Sequence, residues 1–237
     1  MNTMLHTVAT TGSTNDDIAA LAHAGAPAGI WLRADRQTGG RGRHGRAWES
    51  PAGNLYASTL VRLAPSDPPP ATLALVAAVA LDELVAALVG PERVRIKWPN
   101  DVLLDGAKLS GILLDRAGEA VIVGFGVNLS HHPEGLDRPT ISLAAAGVDT
   151  PAPEDFLADL APAFARWLGR WRGEGLAPVR QRWLERAHPR GTALRVRGAD
   201  GSVVEGLFDG MDGEGALLLR LADGTVHVMH AGDVFLL

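Results

Sequence analysis

The chain has 237 residues, 46% of them apolar, with 22 basic and 27 acidic side chains and a formal charge of -5, enough to bury one large domain or a domain plus a small one. The absence of cysteine excludes a disulfide framework, a thiol nucleophile and a zinc–thiolate site, and fits a reducing cytoplasm, the expected location. The acidic balance argues against a general nucleic-acid binder, and no membrane segment is expected: residues 1–14 lack the pattern of a signal peptide, and the longest apolar run, 73–81, is too short to span a bilayer.

Residues 10–15, TTGSTN, lead into a helical pattern at 16–23 that stops at Gly25. Ser13 or Thr14 can cap this helix, and Asp16 and Asp17 complement its dipole. Capping accounts for these residues; a helix start with free hydroxyl and amide groups is also a place to hold a polar ligand head. Strands are expected at 29–34 and 55–63, joined by a loop of unusual length. That loop concentrates Arg36, Arg41, Arg43, His44 and Arg46 between glycines 39, 40, 42 and 45. Glycines let backbone N–H groups approach a ligand oxygen while guanidinium forks add donors, which makes an anion cradle. The alternative is a solvated Arg-Gly loop that meets RNA non-specifically. Trp48 either anchors the loop or stacks on a planar ligand.

A turn-rich connector at 64–70 precedes a buried helix at 72–89, closed by Gly90-Pro91. Short strands follow at 94–98, 102–104 and 109–115, reversed at Pro99-Asn100-Asp101 and Asp105-Gly106. Lys97 and Lys108, the chain's two lysines, bracket the first reversal. Since arginine serves almost everywhere else, these are candidates for chemistry that needs a compact ammonium, chance being the alternative. Residues 120–127 read as an apolar strand whose Gly124 and Gly126 suggest close backbone approach, ended by Asn128. Residues 130–139 read as a surface loop; His131 and His132 have no carboxylate at helical spacing, so no metal site is expected. Helices are expected from 150–154 onward, with apolar positions from Phe156 to Trp171, and at 178–187. From Gly191 the pattern is five short strands at 193–197, 202–208, 216–221, 225–229 and 233–237, three of the reversals being Asp200-Gly201, Asp212-Gly213 and Asp223-Gly224. A domain of residues 1–188 followed by a barrel of residues 189–237 fits this change of texture.

Read together, Ser13-Thr14-Asn15, Gln37 with GRGRHGRAW at 40–48, KWPND at 97–101, Lys108-Leu109-Ser110-Gly111-Ile112 and Gly124-Phe125-Gly126-Val127-Asn128 resemble the biotin protein ligases, in order and over nearly the whole chain. The resemblance implies an α+β fold: a mixed-sheet catalytic domain akin to class II tRNA synthetases, then an SH3-like barrel. It implies that ATP, with Mg2+, activates biotin to biotinyl-5′-AMP, and that the biotin passes to a lysine of a biotin carboxyl carrier protein. By the same resemblance Ser13, Thr14, Asn15, Gln37, Arg41, Gly42, Arg43, Lys108 and Gly111 bind biotin. Arg41, Arg43, Arg46, Trp48, Lys97, Asn100, Lys108 and Asn128 bind ATP or the adenylate, with Trp48 stacking on adenine. Lys108 and Arg43 would counter charge repulsion in the transition state. Asp101, beside Lys97, is the candidate base for the incoming carrier lysine. His44 stands where some relatives carry arginine. The short segment before Ser13 leaves no room for a helix-turn-helix, so no DNA partner is expected; the protein would be a monomer or homodimer. The rival readings are a lipoate-protein ligase of the same reaction plan and an Arg-Gly RNA-binding protein.

Overall fold

The computed structural model describes residues 4–136, 138–198 and 201–237. Its larger sheet has seven strands: β1 (Leu5–Thr11), β2 (Trp31–Gln37), β3 (Leu55–Arg62), β4 (Val94–Lys97), β5 (Asp101–Leu104), β6 (Ala107–Ala117) and β7 (Ala120–Val127), in the order β1-β2-β3-β7-β6-β5-β4. Only β1 and β2 run parallel; every other pairing in this sheet is antiparallel. The sheet is therefore mixed, as the resemblance implies.

Alternation along the central strands sends side chains to two different layers. On one face Trp31, Ala57, Val123 and Phe125 meet α2 (Leu73–Val89), α3 (Pro153–Glu174) and α4 (Ala177–Arg186). On the other, Leu32, Leu60 and Ile122 meet Ile18 and Ala22 of α1 (Thr14–His23). This period of two is the sheet's own signature, and it makes a one-residue slip costly. Residues Pro70–Val89 are long and apolar enough to cross a membrane by composition alone, yet 72% of the most apolar window is buried inside the fold. The helix is apolar all round because the sheet lies on one side and α3 and α4 lie on the other.

The second sheet, antiparallel in the order β11-β10-β9-β8-β12, is built from β8 (Ala193–Arg197), β9 (Val203–Met211), β10 (Leu217–Arg220), β11 (Val226–Met229) and β12 (Asp233–Leu236). The aspartates at two reversals have a visible cause: Asp212 accepts the N–H groups of Glu214 and Ala216, and Asp223 accepts the N–H and hydroxyl of Thr225. Asp200 of the third lies outside the described residues. Leu194, Val196, Phe208, Leu217 and Val234 of this sheet join the same apolar cluster as α2 and α4. Trp98 and Arg180 reinforce the contact, donating to the carbonyls of Gly215 and of Met211 and Asp212.

Strand β1 has no counterpart in the sequence reading. It is an edge strand whose residues are nearly all exposed, so no apolar face marks it. It pairs with β2 through the backbone ladder, and of its side chains only Val8 packs on the α1-side apolar cluster, too little to mark a strand by pattern.

Candidate active site

The site's floor follows from strand register. Across four neighbouring strands Lys97 pairs with Asp101, Asp101 with Gly111, and Gly111 with Gly126. The row thus carries charge at one end and two residues without side chains at the other. The Trp48 ring lies on those glycines: a Cβ at Gly126 would be 2.6 Å from Trp48 Cε2, and one at Gly111 would be 3.1 Å from Cζ3. A second row pairs Leu113 with Gly124 and Gly124 with Ser58, and here Asn15 takes the vacated space, 2.2 Å from a Cβ built at Gly124. The close approach expected at Gly124 and Gly126 is therefore made by Asn15 and Trp48.

A break in the β5–β6 ladder between Val102 and Leu103 sets Leu103 opposite Lys108. Such a bulge re-aims side chains. The Lys108 ammonium reaches Asp101 at 2.5 Å, while Lys97 stands 3.4 Å from the other carboxylate oxygen. All three side chains are largely buried. Burial alone would raise the pKa of Asp101, but the charges of Lys108 and Lys97 outweigh it and hold the carboxyl below its usual range. Burial pushes the pKa of Lys108 down, against the pull of Asp101 and with the help of Arg138 and Lys97.

The Arg-Gly loop is folded rather than loose. Arg41 bridges to Ala47, the Gly42 N–H donates to the Arg46 carbonyl at 2.7 Å, and His44 takes a left-handed φ of 57° inside the turn. Its arginines already have partners. Arg41 makes two bonds to Asp16 at 2.6 and 2.8 Å, which hold the Asp16 carboxyl below its usual range. Arg43 donates to the Gly232 carbonyl at 3.0 Å and to Asn100 at 3.4 Å, and Arg46 pairs with Asp233. Burial lowers the pKa of Arg43, with Asp233 and Asp101 opposing it. These pairs tie the loop to α1 and to β12, whereas a free Arg-Gly loop of the RNA-binding kind would leave its guanidinium groups unpaired.

At the start of α1, Ser13 is the N-cap by position, but its side chain makes no capping bond. The polar groups here serve a network instead. Thr14 and Ser58 hydroxyls are 2.7 Å apart, Ser58 donates to Asn15 Oδ1 at 2.6 Å, and Asn15 donates to Asp115 at 2.7 Å. The Thr14 N–H donates to Gln37 Oε1 at 2.9 Å.

One cavity is lined by Ser13, Thr14, Asn15, Gln37, Arg41, Gly42, Arg43, Arg46, Trp48, Lys97, Asn100, Asp101, Lys108 and Gly111. The exception among the expected residues is Asn128. It does not line the cavity, and its buried amide donates to the carbonyls of Ile141, at 3.1 Å, and Lys108, at 3.5 Å. It staples the segment after Pro139 against β6, where Lys108 N–H donates to Pro139 and Ile141 N–H donates to Lys108. Asp101 lines the cavity too, and between its two ammonium partners it anchors Lys108.

The sequence reading missed several lining residues. Arg138 belongs to the segment read as a surface loop, but lines the cavity, and its buried Nε has no hydrogen-bond partner among the described residues. Asp233, Val234 and Phe235 bring β12 to the rim. Ser58, buried beneath the lining, was legible only as a small polar residue in an apolar strand. Among the described residues, no group of three or more His, Cys, Asp or Glu converges as a metal site.

A family described as "Biotin/lipoate A/B protein ligase family" matches residues 9–129, and one described as "Biotin protein ligase C terminal domain" matches residues 193–237. A biotin–acetyl-CoA-carboxylase ligase of Paracoccus denitrificans is 41% identical over 239 residues, covering 96% of this chain and 98% of the relative. The chain belongs to the biotin protein ligases. A second ligase of that description, from Mycobacterium tuberculosis, is 37% identical over 237 residues, covering 97% of this chain and 88% of its own. Among solved structures, the biotin protein ligase of Aquifex aeolicus in complex with biotin and ATP is similar in fold, with a TM-score of 0.85, 24% identity and 98% of each chain covered. The family's plan of a mixed sheet with helices, followed by a small antiparallel sheet, is the fold described above.

Proposed function

We propose that this biotin protein ligase activates biotin with ATP to biotinyl-5′-AMP and transfers the biotin to a lysine of a biotin carboxyl carrier protein. The observation that carries the site assignment is the convergence of Lys108, Arg43 and Arg138 on a floor of two glycines, with Asp101 beneath. Joining a carboxylate to a polyphosphate brings like charges together, and buried cations reduce that repulsion where screening by water is weak.

In the first step a biotin carboxylate oxygen attacks the α-phosphorus and pyrophosphate leaves. Lys108 is placed to neutralise the carboxylate and a phosphate oxygen at once, a role suited to a compact ammonium. Arg43 and Arg138 bind phosphate oxygens, and Arg43 exchanges its Gly232 contact for them. Thr14, Asn15 and Gln37 hold the polar head of biotin, and Trp48 faces adenine. Arg41, Arg46, Lys97 and Asn100 act on this machinery through Asp16, Asp233, Asp101 and Arg43 respectively. In the second step the neutral amine of the carrier lysine attacks the acyl carbon, AMP leaves with the bonding electrons, and the proton lost by the nitrogen passes to water. Mg2+, where bound, would be held chiefly by the nucleotide phosphates and would neutralise part of their charge. Residues 1–188 form the catalytic domain, and residues 189–237 complete its rim through β12.

The test is ATP–pyrophosphate exchange, expected only when biotin is present, followed by label transfer from biotin to a carrier domain. Exchange that ignores biotin, or that responds to lipoate equally well, would overturn the assignment.

A further inference from the structure

A single run of hydrogen bonds joins the polar head pocket to the backbone of Trp48. It begins at Asp115, whose carboxylate accepts from Asn15 Nδ2, so Asn15 Oδ1 must face Ser58 and accept its hydroxyl proton. Ser58 has then spent its proton, and the 2.7 Å contact with Thr14 requires the Thr14 hydroxyl to donate. The Thr14 N–H can only donate, which fixes the Gln37 amide with Oε1 toward Thr14 and Nε2 toward Ser50, at 3.2 Å. Ser50 in turn donates to the Trp48 carbonyl at 2.9 Å. Each amide along the run has one allowed orientation, and the Thr14 hydroxyl proton is shared between Ser58 Oγ and, at 3.2 Å, Gln37 Oε1.

Gly40 shows how tightly the last links converge. A Cβ there would lie 2.6 Å from the Trp48 carbonyl oxygen, 2.7 Å from Ser50 Oγ and 3.0 Å from Gln37 Nε2. The Gly40 carbonyl also accepts the Trp48 N–H at 2.9 Å. Both backbone polar groups of Trp48 are therefore fixed from the Gln37 side of the loop, while its ring covers Gly111 and Gly126.

We propose that Ser50 is a positioning residue that carries the state of the head pocket to Trp48, so that biotin and ATP strengthen each other's binding through it. The proposal rests on the ligase reading above, because it takes biotin's polar head to engage Thr14, Asn15 and Gln37. A ligand that draws on Gln37 changes the donor offered to Ser50, and Ser50 transmits the change because it accepts from one partner and donates to the other. Trp48 then sets the floor of the nucleotide pocket. Coupling of this kind is reciprocal: each ligand alters the other's affinity by one common factor.

Calorimetry on the full chain tests this, measuring the biotin Kd alone and with saturating α,β-methylene ATP, which binds without forming the adenylate. The wild type should show a ratio of the two Kd values within the roughly 5- to 150-fold range of ordinary coupling. Ser50→Ala should leave the Kd for biotin alone within about threefold, reduce that ratio at least about fivefold and raise KM for ATP more than it lowers kcat. Ser50→Thr, which keeps a hydroxyl that accepts and donates, should restore the ratio. A wild-type ratio of one overturns the proposal, as does a Ser50→Ala ratio within about twofold of the wild type. Equal weakening of biotin with and without the analogue also overturns it, since a merely structural role predicts that. Wild-type exchange activity measured alongside keeps the two readings apart: if it is absent, the assignment of function fails; if it is present with coupling untouched, only the role of Ser50 fails.

Discussion

The two ends of the cavity solve different problems. At the α1 end, Thr14, Asn15, Ser58 and Gln37 form a network of neutral groups with fixed donor and acceptor directions. At the β12 end, Arg43, Arg46, Lys97 and Lys108 are held by Asp101 and Asp233. The neutral end presents a pattern that a ligand matches or fails to match. The charged end lends its cations to protein carboxylates, and an anionic substrate has to compete for them. The proposed mechanism thus assigns recognition to one end and the electrostatic contribution to catalysis to the other.

The largest expected effect lies in the charged end. Asp101→Asn removes one partner of a buried ion pair, a change that costs about 3–5 kcal/mol of stability in comparable cases, read by denaturant unfolding. It should impair exchange and transfer alike, because Lys108 loses its anchor; a variant with normal exchange and defective transfer alone would assign it the role of base. The sign with pH follows from the same residue. Its folded pKa lies below the ordinary value, so its contribution to stability is present above about pH 4 and is lost as pH falls through the folded value. Wild-type unfolding should therefore sharpen with acid below that point, and Asp101→Asn should show less of this dependence.

Lys108→Gln comes next, with exchange falling about 10²–10³-fold, the cost of removing one preorganised transition-state donor. The neutral end should respond more gently and more selectively. Ser58→Ala leaves the Asn15 oxygen without its donor and should weaken biotin by about 1–3 kcal/mol in calorimetry, with little change for the nucleotide. The smallest effect is expected at the rim, where Arg46 and its pair with Asp233 are partly exposed. Arg46→Ala should change stability by no more than about 1 kcal/mol, and added salt should mask the difference.

This contrast explains what could be read from the sequence. Thr14, Asn15 and Gln37 of the neutral end were legible because they sit in short contiguous motifs at a helix start and a strand end, while Ser58, in the middle of β3, was not. The cations were legible too, Lys108 above all, because lysine is so rare in this chain. Their partners were not: Arg41 finds Asp16 across 25 positions and Arg46 finds Asp233 across 187, separations at which sequence pattern carries no signal. Arg138 was hidden in the same way, since its place beside Lys108 depends on the Asn128 staple and on backbone bonds at Pro139 and Ile141. Asn128 was read by its neighbours in sequence, and its amide turns away from the cavity to the Ile141 and Lys108 carbonyls. Strand β1 escaped notice because a largely exposed edge strand with one packed valine shows no apolar alternation.

The contacts of Gly232 and Asp233 with Arg43 and Arg46 also tie the smaller sheet to the mouth of the cavity. Loosening β12 would free two guanidinium groups of the arginine loop at once, so damage to the minor sheet should be felt as altered chemistry in the major one.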